Sequence, residues 1–223
     1  MVYRKKPFAV GEYYHVFNRG TDKRTIFTDQ NDINRFFQSM VEFNTVEPIG
    51  SIFENSFVQK KPLKAKVAPS EPLVHFVAYC LNPNHYHFIL QQASENGIPK
   101  FMQRLGTGYT NYFNELNDRT GALFQGTYKS IHIASDAYLL HVSAYVNLND
   151  KVHQLGSLTP KLVKSISSWE EYVGKDTAGI CKKEAILDQF KNSRHYKDFA
   201  LSSLVTMRQR KREMKDLERF LLE

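Results

Sequence analysis

His85 and His87 flank a single residue in the segment LNPNHYHFIL. On a strand, residues two apart project from the same face, so both imidazoles would point the same way, as two ligands of one metal ion should. Further along, YLLHVSAYVNLN carries Tyr145 and Asn149, four residues apart. On a helix that spacing puts them on one face, a turn apart. Two imidazoles and one amide oxygen, completed by water and phosphate oxygens, suit Mg²⁺ or Mn²⁺ acting on a phosphodiester. A structural zinc would want four tight protein ligands, and neither Cys80 nor Cys181 is placed to help. A tyrosine held beside such an ion can attack phosphorus and form a phosphotyrosine. Each residue also has a plainer reading. The histidines could be two polar groups on the wet face of a half-exposed strand. Tyr145 is one of 12 tyrosines and could simply pack a core-facing helix.

The elements that must position these residues follow from pattern. Residues 13–18, YYHVFN, are aromatic and β-branched and predict a buried strand ended by Arg19-Gly20. Residues 29–44 repeat apolar positions at three and four, which predicts a helix with Asp29 or Asn31 as its N-cap. Residues 45–72 hold four lysines and scattered prolines and predict a loop or insertion. Two apolar strands, 73–81 and 85–91, are joined by Asn82-Pro83-Asn84 as an antiparallel hairpin. A helix over 98–116, a strand over 123–133 and a helix from its cap Ser135 through 148 complete the series. Strand, helix, strand, strand, helix, strand is an α+β, ferredoxin-like split βαββαβ core with an antiparallel sheet. The helix bearing Tyr145 is an addition to that core. From residue 156 the chain is polar and helical, ending in a basic amphipathic helix over 204–223. That helix is expected to pack through Leu217 and Phe220 and to offer its arginines to a polyanion.

Composition bounds the rest. Of 223 residues, 42% are hydrophobic and 24% charged, which is enough apolar material for a core and excludes wholesale disorder. No apolar run approaches the ~18 residues that cross a bilayer, so no membrane partner is expected. Two cysteines far apart imply a reducing cytoplasm. A net charge of +7 with 16 phenylalanines suits holding polyanions and stacking bases. Candidate DNA contacts are Lys100 and Arg104 on the 98–116 helix, Arg119 in the following turn, Lys129 on the last strand, and Arg4 and Lys5 in a basic N-terminal arm. For any one of them, a solvated surface charge is the alternative. His15 and Asn18 could line the site, although His15 also reads as a packed core histidine.

Five segments resemble, in order, the HUH single-tyrosine transposases, which include the REP-associated tyrosine transposases and small bacterial insertion-sequence transposases. They are YYHVFNRG at 13–20, LNPNHYHFIL at 81–90, GYTNYFNELNDRTGALFQGTYKS at 108–130, YLLHVSAYVNLN at 138–149 and SSWEEY at 167–172. The resemblance covers most of residues 12–173, and the ordered set is far more specific than His-x-His alone. It implies a nuclease domain over 1–173 that binds single-stranded DNA hairpins and cuts them to leave a 5′-phosphotyrosine, with a helical basic extension over 174–223. It implies His85, His87 and Asn149 as ligands of Mg²⁺ or Mn²⁺ and Tyr145 as nucleophile, in DNA transposition or REP-element processing at the nucleoid. Family members act as dimers or monomers, so a homodimer is one of the assemblies implied. One departure is Asp150, where the family usually has proline; it bears on where the helix ends and could add a carboxylate near the metal. Tyr86, Tyr109, Tyr112 and Tyr138 are rival nucleophiles, but only Tyr145 has a potential ligand four residues on. Two other functions compete: a catalytically silent hairpin-binding module, and a metal-dependent phosphodiesterase using water with Tyr145 structural.

Overall fold

The computed structural model describes residues 7–52, 71–153, 163–174 and 179–220, the last six of these as backbone. Arg4, Lys5, most of the lysine-rich insertion and the side chains of Leu217 and Phe220 lie outside the described residues.

The core runs β1 (Tyr13–Arg19), α1 (Gln30–Glu42), β2 (Val74–Asn82), β3 (His85–Gln92), α2 (Gly97–Leu116) and β4 (Lys129–Ile133). It is followed by α3 (Asp136–Asn147), α4 (Asn149–His153), β5 (Ile166–Ser167), α5 (Trp169–Val173), α6 (Glu184–Leu187) and α7 (Ser193–Phe220). The sheet order is β4-β1-β3-β2-β5, with every adjacent pair antiparallel. Strands four, one, three and two in that order make the ferredoxin-like sheet expected from the element series.

Local chemistry sets the boundaries. The Asp29 carboxylate accepts from Asp32 N at 3.0 Å and caps α1. Ser135 caps α3 by accepting from Tyr138 N at 3.3 Å. The last core strand is shorter than the apolar pattern predicts. Residues 123–128 turn instead, because Gly121 (φ 85°) and Gly126 (φ 65°) hold left-handed backbone that a strand cannot contain.

Each strand divides its side chains between two layers. Tyr14, Val16, Tyr86, Phe88 and Leu90 face α1 and α2, packing on Phe36, Met40, Phe101 and Tyr109. Ile89, Val77, Ala78 and Cys80 face α3 and α7, packing on Leu139, Val142, Tyr196 and Leu204. On β2 an irregularity between Phe76 and Ala78 breaks the alternation, so that consecutive Val77 and Ala78 share a face. A bulge there re-aims every later residue, and it puts Asn82 on the α3 face beside His85. The displaced Val77 carbonyl accepts from Tyr172 Oη at 2.7 Å.

The chain beyond residue 174 covers α3. Buried Tyr196, Ala200 and Leu204 of α7 pack on it, with Phe199 and Met207 partly buried beside them. Tyr196 Oη accepts from Asn147 Nδ2 at 2.8 Å and lies 3.2 Å from Ser143 Oγ. The helix therefore begins well before residue 204 and docks mainly through its first half. Among the described residues no helix is long and apolar enough to cross a membrane.

Candidate active site

A row of paired residues crosses the sheet: Lys129, Phe17, His87, Cys80 and Ser167. The next row joins Arg19, His85 and Asn82. Above them α3 delivers Tyr145, and its continuation α4 delivers Asn149 and His153. A cavity of about 550 Å³ is lined by Arg19, Lys23, His85, His87, Lys129, Tyr145 and His153, among others, while Asn82 and Asn149 are buried beside His85. The His85 and His87 rings are 5.2 Å apart and perpendicular. The Tyr145 ring stands edge-on to His87 at 5.5 Å and to His15 at 6.0 Å. The four residues expected to share a site are therefore brought together.

Hydrogen bonds settle where the protons lie. Asn84 Nδ2 donates to the Lys23 carbonyl, so Asn84 Oδ1 is turned toward His85 Nδ1, 2.6 Å away. An amide oxygen only accepts, hence His85 Nδ1 carries the hydrogen and Nε2 is bare. That bare nitrogen faces Asn149 Oδ1 at 3.2 Å. Both accept from Asn82 Nδ2, at 3.0 and 2.9 Å. Asn149 is fully buried, and its own Nδ2 has no hydrogen-bond partner among the described residues. His87 Nδ1 lies 2.9 Å from His15 Nε2. A hydrogen on that nitrogen leaves His87 Nε2 bare toward the cavity.

This donor set fits a small divalent cation. Octahedral Mg²⁺ with bonds of about 2.1 Å spaces adjacent ligand atoms about 3.0 Å apart, close to the His85–Asn149 separation. The outer partners Asn84 and His15 would fix ring orientation, as second-layer groups do at metal sites. Among the described residues no three His, Cys, Asp or Glu side chains form a metal-binding group, so an amide oxygen is needed to complete a protein triad.

Burial dominates the electrostatics. It lowers His15 to about 4 and His87 well below the ordinary imidazole value. His85 is also lowered, chiefly by burial, with the Asn149 contact opposing. His153 is lowered to about 4 by burial, with Lys211 and His85 adding to it. These imidazoles are neutral, the form in which a nitrogen lone pair can bind a cation. Burial raises the Tyr145 phenol, and the neighbouring Asn149 amide partly offsets this.

The rival tyrosines stand elsewhere. Tyr86 and Tyr109 are buried on the opposite face, where Tyr109 Oη donates to the Ile26 carbonyl at 2.6 Å. Tyr112 Oη lies 3.2 Å from Asp32 Oδ1, and Tyr138 is exposed. Asp150 is not among the residues lining the cavity; α3 ends at Asn147, and the chain re-enters helix at Asn149.

Of the expected DNA contacts, Lys129 lines the cavity. Lys100 is exposed on α2, across the sheet. The Arg104 guanidinium donates to the Thr45 and Val46 carbonyls at 2.5 and 3.2 Å. The Arg119 guanidinium donates to Asn114 Oδ1 and the Ala122 carbonyl. Arg104 thus ties down the segment after α1, and Arg119 the turn after α2. Sequence reasoning missed Asn82, Arg19, Lys23 and His153 as site residues. The period-two alternation from His85 into Arg19's strand could have found Arg19, whereas Asn82 depends on an unsignalled bulge.

Residues 64–149 match the family model described as Transposase IS200 like, a span that includes both histidines, Tyr145 and Asn149. A solved structure of a REP-associated tyrosine transposase bound to a REP hairpin is similar over 81% of this chain and 90% of that one, at 12% identity and a TM-score of 0.48. The curated proteins contain no match.

Proposed function

We propose that this chain cleaves and rejoins single-stranded DNA carrying hairpins, through a covalent 5′-phosphotyrosine on Tyr145, in DNA transposition or REP-element processing. The observation that carries the reading is one cavity lined by Tyr145, His85 and His87 and rimmed by Arg19, Lys23 and Lys129, with the buried Asn149 Oδ1 3.2 Å from His85 Nε2. The IS200-like family match over the same residues supports it.

The Tyr145 phenol oxygen attacks phosphorus as its proton departs. A Tyr–O–P bond forms to the 5′ side, the P–O3′ bond breaks, and the leaving oxygen takes up a proton as the 3′ hydroxyl. Rejoining is the reverse, with a 3′ hydroxyl as nucleophile and Tyr145 as leaving group. His85, His87 and Asn149 would hold Mg²⁺ or Mn²⁺, which would supply Lewis acidity to the phosphate. Arg19, Lys23 and Lys129 hold the backbone by charge, without reading sequence. Phe17, on the cavity wall, presents a ring on which a base can stack.

The test is incubation with a pool of hairpin-bearing oligonucleotides and Mn²⁺, followed by denaturing electrophoresis and peptide mapping. A protein–DNA adduct on Tyr145 is the expected result. Cleavage without any adduct would replace this reading with a water-using phosphodiesterase. Binding without cleavage would replace it with a silent hairpin-binding module.

A further inference from the structure

His153 is a titratable residue of the cavity wall that the proposed chemistry leaves unused. It ends α4, one turn beyond Asn149, and its ring lies 5.7 Å from that of His85 at 76°. Its other side meets the C-terminal helix: Lys211 Nζ lies 2.7 Å from His153 Nδ1. Three residues earlier on α7, the Arg208 guanidinium donates twice to the Lys151 carbonyl, at 2.9 and 3.1 Å. The same helix thus grips α4 at two points, and one of them is a side chain of the cavity wall.

The Lys211 contact decides what His153 can do. An ammonium group has hydrogens and no lone pair, so Nδ1 must accept. The single hydrogen of the neutral ring then sits on Nε2, on the edge turned away from α7. A nitrogen that bears hydrogen cannot ligate a metal, but it can donate to an oxyanion. His85 and His153 are neighbours of opposite character: one offers the cavity a lone pair, the other a hydrogen.

We propose that His153, set in its Nε2–H tautomer by Lys211, donates a hydrogen bond to a phosphate oxygen of DNA in the cavity, so that the C-terminal helix completes the active site. This rests on the cavity being the strand-transfer site proposed above. His153 is then a substrate contact and Lys211 a positioning residue. The helix belongs to the 174–223 extension, so the extension takes part in the chemistry as well as covering α3.

The experiment uses the full chain with ¹⁵N-labelled histidine. Long-range ¹⁵N–¹H spectra are recorded for the free protein, with Mg²⁺ alone, and with a single-stranded oligothymidylate. The His153 pattern is expected to be that of Nε2–H, to become a mixture of tautomers in Lys211→Met, and to shift with the oligonucleotide. An Nδ1–H pattern, or a His153 shift with Mg²⁺ alone, would overturn the proposal; the second would make the residue a metal ligand. Cleavage of the hairpin pool is the second readout. His153→Leu should lose about 100- to 1,000-fold in rate, in the range of a lost oxyanion donor, with Mn²⁺ affinity unchanged. His153→Gln, which keeps an N–H donor, should recover part of that loss. A His153→Leu protein that cleaves at the wild-type rate would also refute the inference. If wild-type protein forms no adduct while His153 still shifts with oligonucleotide, the strand-transfer reading fails and the phosphate contact stands.

Discussion

His85 Nε2 and Asn149 Oδ1 face each other across 3.2 Å, and both are acceptors. They come from opposite sides of the site, one from the first residue of β3 and the other from the helix that follows Tyr145. Two lone pairs turned toward each other are held in the fold by the hydrogens of one amide, Asn82. A cation satisfies such a pair better than an amide does, because its charge attracts both at once.

The first prediction is therefore metal-dependent stability. Mn²⁺ at a hundredfold excess over its dissociation constant should stabilise the chain by about 2.7 kcal/mol, which raises Tm by about 5–10 °C for this size. His85→Ala and His87→Ala should abolish both that rise and cleavage, while most DNA binding survives on phosphate contacts. Asn149→Ala removes a neutral ligand, so its activity should return in part at high Mn²⁺. Thermal melts with and without chelator decide this. An equal Mn²⁺ shift in both histidine variants would exclude the site.

Tyr145→Phe keeps the ring that packs edge-on to His15 and His87 and deletes the one atom able to attack phosphorus. Stability should change by less than about 1 kcal/mol and hairpin binding should be normal. Cleavage and adduct formation should both vanish in denaturing gels. An adduct that persists in this variant would reassign the nucleophile, and its tryptic peptide would identify the replacement.

Much of this site was legible in the sequence, for a physical reason. Period-two and period-four spacing are local, so His85 with His87, and Tyr145 with Asn149, could be paired before any tertiary contact was known. The core topology was legible for the same reason, since YYHVFN and the Asn82-Pro83-Asn84 hairpin are strong local signals. What escaped depends on longer range. Asn82 faces the site only because β2 bulges at Val77, which nothing in VHFVAYCLN announces. His153 matters only because Lys211 comes back 58 residues later to meet it. Arg104 and Arg119 also have partners that only the fold shows: their guanidinium groups donate to the Thr45, Val46 and Ala122 carbonyls and to Asn114 Oδ1.

The extension should be part of the stability of the domain. Tyr196→Phe removes the oxygen that accepts from Asn147 Nδ2 and leaves that buried amide hydrogen without this partner. The cost should be about 1–3 kcal/mol, or about 3–10 °C in Tm. Truncation after Ser203 removes buried Leu204 and the Arg208 clamp, and should destabilise the domain as well as weaken DNA binding at low salt. Calorimetry on both variants tests this. A truncated chain that melts like the full one would mean that the second half of α7 contributes nothing to the fold.

Lys129, Arg19 and Lys23 rim the same cavity, so they should act as a phosphate clamp rather than as scattered surface charge. Neutralising one of them, as in Lys129→Gln, should reduce the slope of log K against log salt by about 0.7 for single-stranded DNA. Fluorescence anisotropy over a salt series measures the slope. Lys100→Gln, on the opposite face, is the internal comparison and should leave it unchanged. Equal effects of both substitutions would argue against a clamp localised at the cavity.

Asn82 offers the sharpest test of the paired acceptors. Asn82→Asp replaces the donor that serves both His85 Nε2 and Asn149 Oδ1 with a third acceptor carrying negative charge. Without metal, three acceptors then face one another in a buried site. The variant should lose about 1–3 kcal/mol, the cost of leaving buried polar groups unmatched. With Mn²⁺ the sign reverses, because a carboxylate is a stronger ligand for a hard divalent ion than a neutral amide. The Mn²⁺-induced rise in Tm should therefore be larger in Asn82→Asp than in wild type, and it should be lost again when His85→Ala is added. A purely structural asparagine predicts the same deficit with and without metal. Parallel melts of the two proteins across an Mn²⁺ titration separate the cases, and identical Tm increments would remove Asn82 from the metal site.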